Sequence, residues 1–153
     1  MKTFIKRDMK KMLLFVMAIA SLAIIPACAN DIMIPTKKLP KIAQEFLNTH
    51  FAGKNVVKAI HDRDITDNDY TVWLDNGTKI EFDSKGNWES IKNKSSYVAD
   101  SVIPAKIKEY VTTNYPSLGI VKIEKSLYGY EVELSNDLDL KFDSDGNFQR
   151  IDD

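Results

Sequence analysis

The stretch DNGTKIEFDSKGNW (75–88) returns sixty residues later as SNDLDLKFDSDGNF (135–148). In the first copy, Asp75-Asn76-Gly77 supplies residues that accept positive φ, which predicts a tight hairpin turn. The segment 83–87 and its twin 143–147 are rich in Asp, Ser, Gly and Asn, which predicts a second, slightly longer turn. Each stretch therefore predicts two consecutive turns that bracket a short core strand, and its repetition predicts a duplicated unit.

The likeness between the two copies extends well upstream of these hairpins. Tyr-x-Val-x-Leu at 70–74 recurs at 130–134. Farther upstream the spacing becomes sixty-four residues, so that Leu-Pro at 39–40 corresponds to Ile-Pro at 103–104. The change in spacing places a four-residue insertion in the loop 61–69 of the first copy.

Each copy predicts one helix followed by four strands. Apolar residues at helical spacing follow Pro40 and Pro104, and proline is tolerated in the first turn of a helix. These patterns predict short helices near 40–52 and 104–115. The strand-like runs lie at about 55–61, 69–75, 78–83 and 87–92, and at about 119–125, 129–135, 138–143 and 147–152. The predicted fold class is α+β, with two tandem units that each pack a short helix on a four-stranded antiparallel meander.

The first 29 residues are typical of a signal peptide. Five basic residues precede an uninterrupted run of apolar and small residues at 12–25, which is short for a membrane span. Two alternatives remain open at its end, because Ala27-Cys28-Ala29 suits cleavage before Asn30, whereas 25–28 suits a lipobox that leaves Cys28 lipidated. The predicted organisation is therefore a signal peptide at 1–29 and two units at 30–94 and 95–153, in a protein that is exported to the periplasm or anchored as a lipoprotein.

Composition excludes several classes of function. Residues 30–153 carry 16 Lys and Arg against 21 Asp and Glu, which is unsuited to a nucleic acid or to an anionic membrane surface. We therefore expect contact with a membrane only if Cys28 is lipidated. Cys28 is also the only cysteine, so no internal disulfide and no thiol cluster for a metal can form.

The Asp-rich turn at 143–147 invites a calcium interpretation, because oxygen side chains alternate before a glycine. An EF-hand loop needs its glycine at the sixth position, whereas Gly146 is fourth. The first copy has Lys85 in place of Asp145, which would put a positive charge in the ion site. The pattern therefore favours turns, and the sequence predicts no metal and no cofactor.

No catalytic constellation stands out in the sequence. His50 lies near a predicted helix end, and a second histidine opens the long loop beside two aspartates without the ligand spacing of a zinc site. That trio is His61, Asp62 and Asp64. There is no Gly-x-Ser-x-Gly motif. The carboxylates Glu131, Glu133 and Asp139 are better explained as a solvated sheet face than as a catalytic pair across a cleft.

Strand alternation predicts a second sheet face that points away from the helices. Trp73 falls on this face, and two interpretations of it stay open: it serves as a binding anchor, or it packs against Ile60 or a neighbouring loop. Tyr97, Tyr128 and the loop 62–69 would form the rim. The candidate partner-binding residues are Lys58, Ile60, Trp73, Lys79, Glu81, Glu131, Glu133 and Lys141.

The motifs Y-x-V-x-L-D-N-G-T-x-I-E-F-D-x-x-G-N-W (70–88) and Y-E-V-E-L-S-N-x-L-D-L-K-F-D-x-x-G-x-F (130–148) are similar to the PepSY-like family of exported bacterial proteins, which is common in Bacteroides-type organisms. That family is described as resembling the β-lactamase inhibitor protein. The resemblance implies two sheets side by side in one curved layer, whose concave surface grips an enzyme. It supplies no catalytic residue. Ala52 replaces a proline usual in such proteins, which affects only the local turn.

These observations lead to two functional hypotheses. The first is a non-catalytic exported protein that binds another protein through the open sheet face, for example an inhibitor of a periplasmic or secreted enzyme such as a peptidase. The alternative is a periplasmic carrier or sensor of a peptide or small ligand. An enzyme ranks third.

Overall fold

A computed structural model of the protein describes residues 32–63 and 68–152. These residues form nine strands and two α-helices, which confirms the α+β class. The strands are β1 (Ile32–Met33), β2 (Val56–His61), β3 (Tyr70–Leu74), β4 (Lys79–Phe82), β5 (Trp88–Lys92), β6 (Ile120–Ser126), β7 (Gly129–Leu134), β8 (Asp139–Asp143) and β9 (Phe148–Asp152). The helices are α1 (Lys41–His50) and α2 (Ala105–Asn114), each preceded by a 3-10 turn, Thr36–Lys38 or Asp100–Val102. The predicted signal peptide and Cys28 lie outside the described residues.

The strands form one antiparallel sheet in chain order from β1 to β9. Eight of them coincide with the predicted runs to within two residues, whereas β1 is not predicted by the sequence analysis. β1 pairs with β2 through Met33 and Ile60. β5 pairs with β6, with Ile91 opposite Ile123, so the two sequence copies share a single sheet. The predicted boundary between units at 94 and 95 stays a prediction.

Both helices begin directly after a proline. Pro40 and Pro104 are the residues that cap α1 and α2, in extended backbone conformation. A proline lacks the N–H group that would in any case have no partner at a helix start. Neither α1 nor α2, the α-helices of the described residues, has the length and apolar character needed to span a membrane.

The core lies between the helices and one face of the sheet. A row of apolar residues crosses that face from β2 to β8: Ala59, Val72, Ile80, Ile91, Ile123, Val132 and Leu140. Buried residues of both helices join this cluster. Phe46 of α1 meets Phe82 edge-on at 5.8 Å, and Tyr110 of α2 meets Phe142 in the same way at 5.5 Å. The helices therefore cover this face, and the opposite face is the open one.

The Asp-rich segments form the predicted turns. Asp83 Oδ1 accepts hydrogen bonds from the backbone N–H groups of Lys85 (2.9 Å) and Asn87 (2.8 Å). Asp143 Oδ1 does the same for Asp145 and Asn147. Each turn leads into the last strand of its copy. The first turn lies close to the start of α1, where Gly86 approaches Pro40 and Ala43.

Candidate binding face

Two rows of side chains cross the open face from one edge of the sheet to the other. We call the first the lysine row: Lys58, Trp73, Lys79, Lys92, Lys122, Glu133, Asp139 and Asp152. We call the second the mixed row: Met33, Ile60, Thr71, Glu81, Ser90, Glu124, Glu131, Lys141 and Arg150. Directly opposed residues of an antiparallel pair share a face. All eight candidate residues from the sequence therefore lie in these two rows.

Charge is segregated along the lysine row. From β2 to β6 the row is basic except for Trp73, and from β7 to β9 it is acidic. Glu133 lies at the boundary, where Lys94 Nζ is 2.9 Å and Lys92 Nζ 3.7 Å from its carboxylate oxygens. The hydrogen bond from Lys94 lowers the pKa of Glu133, whose side chain is only 14% exposed. The face thus presents a basic half and an acidic half to any partner.

Many charges in the two rows are paired within the face. Lys79 forms an ion pair with Glu81, and Lys122 forms one with Glu124. In each case the two residues lie on the same strand, one in the lysine row and the other in the mixed row. Lys141 bonds the Glu131 carboxylate, and this bond raises the pKa of Lys141. Exposed pairs of this kind contribute little stability, about 0–1 kcal/mol each. Their lysines and carboxylates can therefore exchange partners at low cost when another surface approaches.

Trp73 is half-buried between two lysines. The ammonium of Lys58 is 4.9 Å from the Trp73 ring centroid, and that of Lys79 is 5.6 Å from it. Cations at this distance are attracted by the electron-rich face of an indole. The aromatic ring is therefore the centre of a basic, partly apolar patch at the first-copy end of the face.

Ile60 differs from the other candidates because it is only 9% exposed. It pairs with Met33 of β1 on one side and with Thr71 on the other. The added strand β1 thus leaves Ile60 little surface with which to contact a partner.

A second concentration of charge lies near the β4–β5 turn. The register of β4 with β5 shifts at Glu81 and Phe82, which makes Glu89 an extra residue beside Ser90. Burial raises the pKa of Glu89, and the nearby carboxylates of Asp69, Asp83, Glu81 and Glu124 raise it further. We call Glu89 and these four neighbours the acidic corner.

The three carboxylates that the sequence analysis assigns to β7 and β8, Glu131, Glu133 and Asp139, have different surroundings in the structure. Burial and then Glu131 and Glu133 raise the pKa of Asp139. Glu131 and Glu133 each form an ion pair with a lysine, so both are ion-paired residues of the sheet face. Among the described residues, no group of three or more His, Cys, Asp or Glu side chains is arranged to hold a metal.

The two histidines have packing roles in the described structure. His50 ends α1, and its ring lies 4.7 Å from that of Phe46. His61 stacks on Tyr70 at 4.3 Å, and its Nε2 lies 2.7 Å from Asn68 Oδ1. Arg63 donates to the other ring nitrogen of His61. Asp64, the third member of the predicted trio, lies outside the described residues.

Leu127 and Val57 are exposed apolar residues that the sequence analysis missed, whereas the exposed Tyr128 is one of the predicted rim residues. Leu127 and Tyr128 form the tip of the β6–β7 hairpin and are 94% and 86% exposed. Tyr128 also borders a cleft of about 440 Å³ with Lys141 and Arg150. Val57, at a register shift in β2, is 64% exposed. The signal for the tip was present in the sequence, since Leu-Tyr is an unusual pair for a two-residue hairpin loop.

Comparison with known proteins agrees with this arrangement. A sequence profile of the family described as "Putative beta-lactamase-inhibitor-like, PepSY-like" matches residues 68–150. The chain belongs to the PepSY-like family. No curated protein matches it.

Three solved structures of putative periplasmic proteins from Bacteroides are similar to this chain. One, a "putative calcium-regulated periplasmic protein" of Bacteroides thetaiotaomicron, is 43% identical over 80% of this chain and 97% of its own, with a TM-score of 0.76. A second, a "putative periplasmic protein from DUF2874 family" of Bacteroides vulgatus, is 42% identical over 82% of this chain and 99% of its own, with a TM-score of 0.74. A third, of "unknown function" and also from B. vulgatus, is 35% identical over 80% and 99%, with a TM-score of 0.74.

Proposed function

We propose that this PepSY-like protein is an exported, non-catalytic protein that binds another protein through the open face of its sheet. The observation that carries the proposal is the basic half of the lysine row, which surrounds the half-buried ring of Trp73 on the face that the helices leave uncovered. Tryptophan is enriched at the energetically important positions of protein interfaces. The periplasmic descriptions of the relatives support export.

The proposed partner is a periplasmic or secreted enzyme, such as a peptidase, that this protein restrains. The likeness to inhibitor-like proteins supports this choice. We also infer that the sheet consists of two tandem units joined edge to edge. The β5–β6 pairing and the matching contacts of Phe46 with Phe82 and of Tyr110 with Phe142 support this inference.

The test is capture of periplasmic proteins on the immobilised protein, followed by affinity measurement with the purified partner. Trp73→Ala and Glu133→Lys are expected to weaken binding about tenfold or more each, because they remove the aromatic anchor and reverse the charge boundary. Lys41→Glu, an equally large charge change on α1, is the matched control and is expected to leave binding unchanged. If the two face variants bind the partner as tightly as the unmodified protein, the open face is not the binding surface.

The second candidate function is ligand sensing, and the description of one relative as calcium-regulated favours it. The described residues contain no group of carboxylates arranged as a metal site, so the test is made at the acidic corner, where neighbouring carboxylates raise the pKa of Glu89. Calorimetric titration with Ca²⁺, with Mg²⁺ as the control ion, tests this candidate. A micromolar dissociation constant for Ca²⁺ that Glu89→Gln weakens would support sensing at this corner. An absence of heat would leave protein binding as the function.

A further inference from the structure

Two bulged valines occupy corresponding places in the two halves of the sheet. In β2 the register shifts between Val56 and Lys58, and Val57 is the extra residue. In β6 it shifts between Ile120 and Lys122, and Val121 is the extra residue. Sixty-four residues separate the two valines, the same spacing that relates the upstream parts of the sequence copies. In such a bulge, two residues of one strand oppose one residue of its neighbour.

The surroundings of the two valines differ sharply. Val121 is only 7% exposed and forms part of a cleft of about 460 Å³ with the segment 94–97. That segment belongs to the linker that leaves β5. Its ends are tied to β6 by backbone hydrogen bonds of 2.8 Å, from Asn93 N–H to the Val121 carbonyl and from Val98 N–H to the Ile120 carbonyl. A piece of chain that bends at 94–96 and is hydrogen-bonded to β6 on either side of the bend therefore covers the bulge in β6.

The corresponding part of β2 has no such cover. β1 is only two residues long, and after it the Ile34 N–H bonds the Ala59 carbonyl before the chain enters a 3-10 turn. Among the described residues, no backbone hydrogen bond from the segment before α1 reaches Val56 or Val57. Val57 is consequently 64% exposed beside a strand edge. Exposed strand edges are sites at which another chain can pair.

We propose that an extended segment of the partner protein pairs with β2 at Val57 and covers this bulge, in the way that the linker covers Val121. The proposal rests on the function proposed above and names the part of the partner that docks. Main-chain hydrogen bonds would provide affinity, and side chains next to the bulge would provide selectivity. The site adjoins Trp73, which lies opposite Lys58 in the ladder.

Charge near the bulge defines the chemistry of that segment. In the second copy Lys122 pairs with Glu124. In the first copy Ile60 occupies the place of Glu124, and the Lys58 ammonium lies over the Trp73 ring instead. Lys79 lies on the other side of this ring. The segment should therefore carry a carboxylate that meets these lysines, next to an apolar side chain that covers Val57.

The segment need not copy the linker in every detail. The Tyr97 ring lies over Gly119 so closely that a Cβ there would come within 2.3 Å of it. Asn55 occupies the corresponding place in the first copy, and its side chain bonds Asp75. A tyrosine in the position of Tyr97 would meet Asn55, so an aliphatic residue over Val57 is the better fit.

The experiment titrates the ¹⁵N-labelled protein (residues 30–153) with two capped peptides, Thr-Val-Glu-Val-Thr and Thr-Val-Lys-Val-Thr, and follows amide shifts by NMR. The glutamate peptide is expected to shift the amides at 56–58 and to bind about tenfold more tightly than the lysine peptide. Val57→Lys should abolish these shifts. Ile151→Lys, which places the same charge on the outer strand β9, is the control and should preserve them.

Three results of the peptide titration would overturn the inference. They are an absence of shifts at 56–58 at saturating peptide, equal affinity for the two peptides, and shifts confined to β9. Concentration-dependent self-association that Val57→Lys abolishes would assign the edge to a second copy of this chain and would also overturn it. A partner that is sensitive to Trp73→Ala but not to Val57→Lys would leave the proposed function standing while this inference fails.

Discussion

Asn93 connects the two halves of the protein, and its replacement provides the sharpest test of the fold. The residue is buried immediately after β5. Its Nδ2 donates to the Thr78 hydroxyl (3.0 Å) and the Asn76 carbonyl (3.2 Å) of the β3–β4 turn. Its Oδ1 accepts from the backbone N–H groups of Ser95 (3.1 Å) and Ser96 (2.9 Å) in the linker. One side chain thus ties a hairpin of the first half to the segment that leads into the second.

The cost of Asn93→Ala follows from these four hydrogen bonds. Each such bond contributes about 1 kcal/mol net, and a buried polar group left without a partner costs about 1–3 kcal/mol. The two linker amides lie nearer the surface and can bind water instead, whereas the buried Thr78 hydroxyl would face a small void. We therefore expect Asn93→Ala to lower the free energy of unfolding by about 3 kcal/mol.

Urea unfolding followed by tryptophan fluorescence measures this loss. With a slope of about 1.5 kcal/mol per molar urea, the midpoint should fall by about 2 M. Asn114→Ala is the matched control, because Asn114 is exposed and makes one hydrogen bond, to the Tyr110 carbonyl. It should cost about 0.5 kcal/mol or less. Equal shifts for the two variants would refute the role assigned to Asn93.

Three further predictions concern charge and backbone. Because its pKa is raised, Glu89 favours folding most when protonated and loses that contribution as the pH rises through its folded pKa. Glu89→Gln should therefore raise the free energy of unfolding in urea at pH 7, by less than about 1 kcal/mol for this exposed group, and have no effect near pH 3; a destabilised variant at pH 7 would contradict this. The pKa of Glu133 is lowered, so Glu133→Gln should destabilise at pH 7 by about 1 kcal/mol, with the difference shrinking as the pH falls through the folded pKa and in high salt. Gly129→Ala would bring a Cβ within 2.0 Å of the Phe142 carbonyl oxygen and should cost more than about 3 kcal/mol in urea unfolding, whereas Gly53→Ala, with φ of +80° and open space around it, should cost about 1 kcal/mol.

The regular elements were predictable because their signals are local. The hairpin turns at 75–78 and 83–87 are encoded by residues that lie within the turns themselves. The helices follow prolines that mark their starts. β1 was missed because two residues cannot display a period, and only the edge of β2 makes them a strand.

The bulges explain most of what the sequence left out of the candidate site. Strict alternation assigns every second residue of a strand to the same face of the sheet. Glu89 is an extra residue in β5, so the alternation shifts by one residue after it, and Lys92 falls in the lysine row. Val57 is likewise an extra residue, so alternation has no place for it. The bond between Lys94 and Glu133 joins the linker to β7, a contact that no local pattern indicates.

The sequence by itself determined the repeated hairpins, the helix starts and the eight candidate residues of the open face, because these depend on spacing within a few neighbouring residues. Tertiary structure alone decided which of them a partner can reach. β1 buries Ile60, the lysines flank Trp73, and the linker covers Val121 while Val57 stays exposed. The physical reason is that exposure and charge pairing depend on which distant segments meet across the sheet.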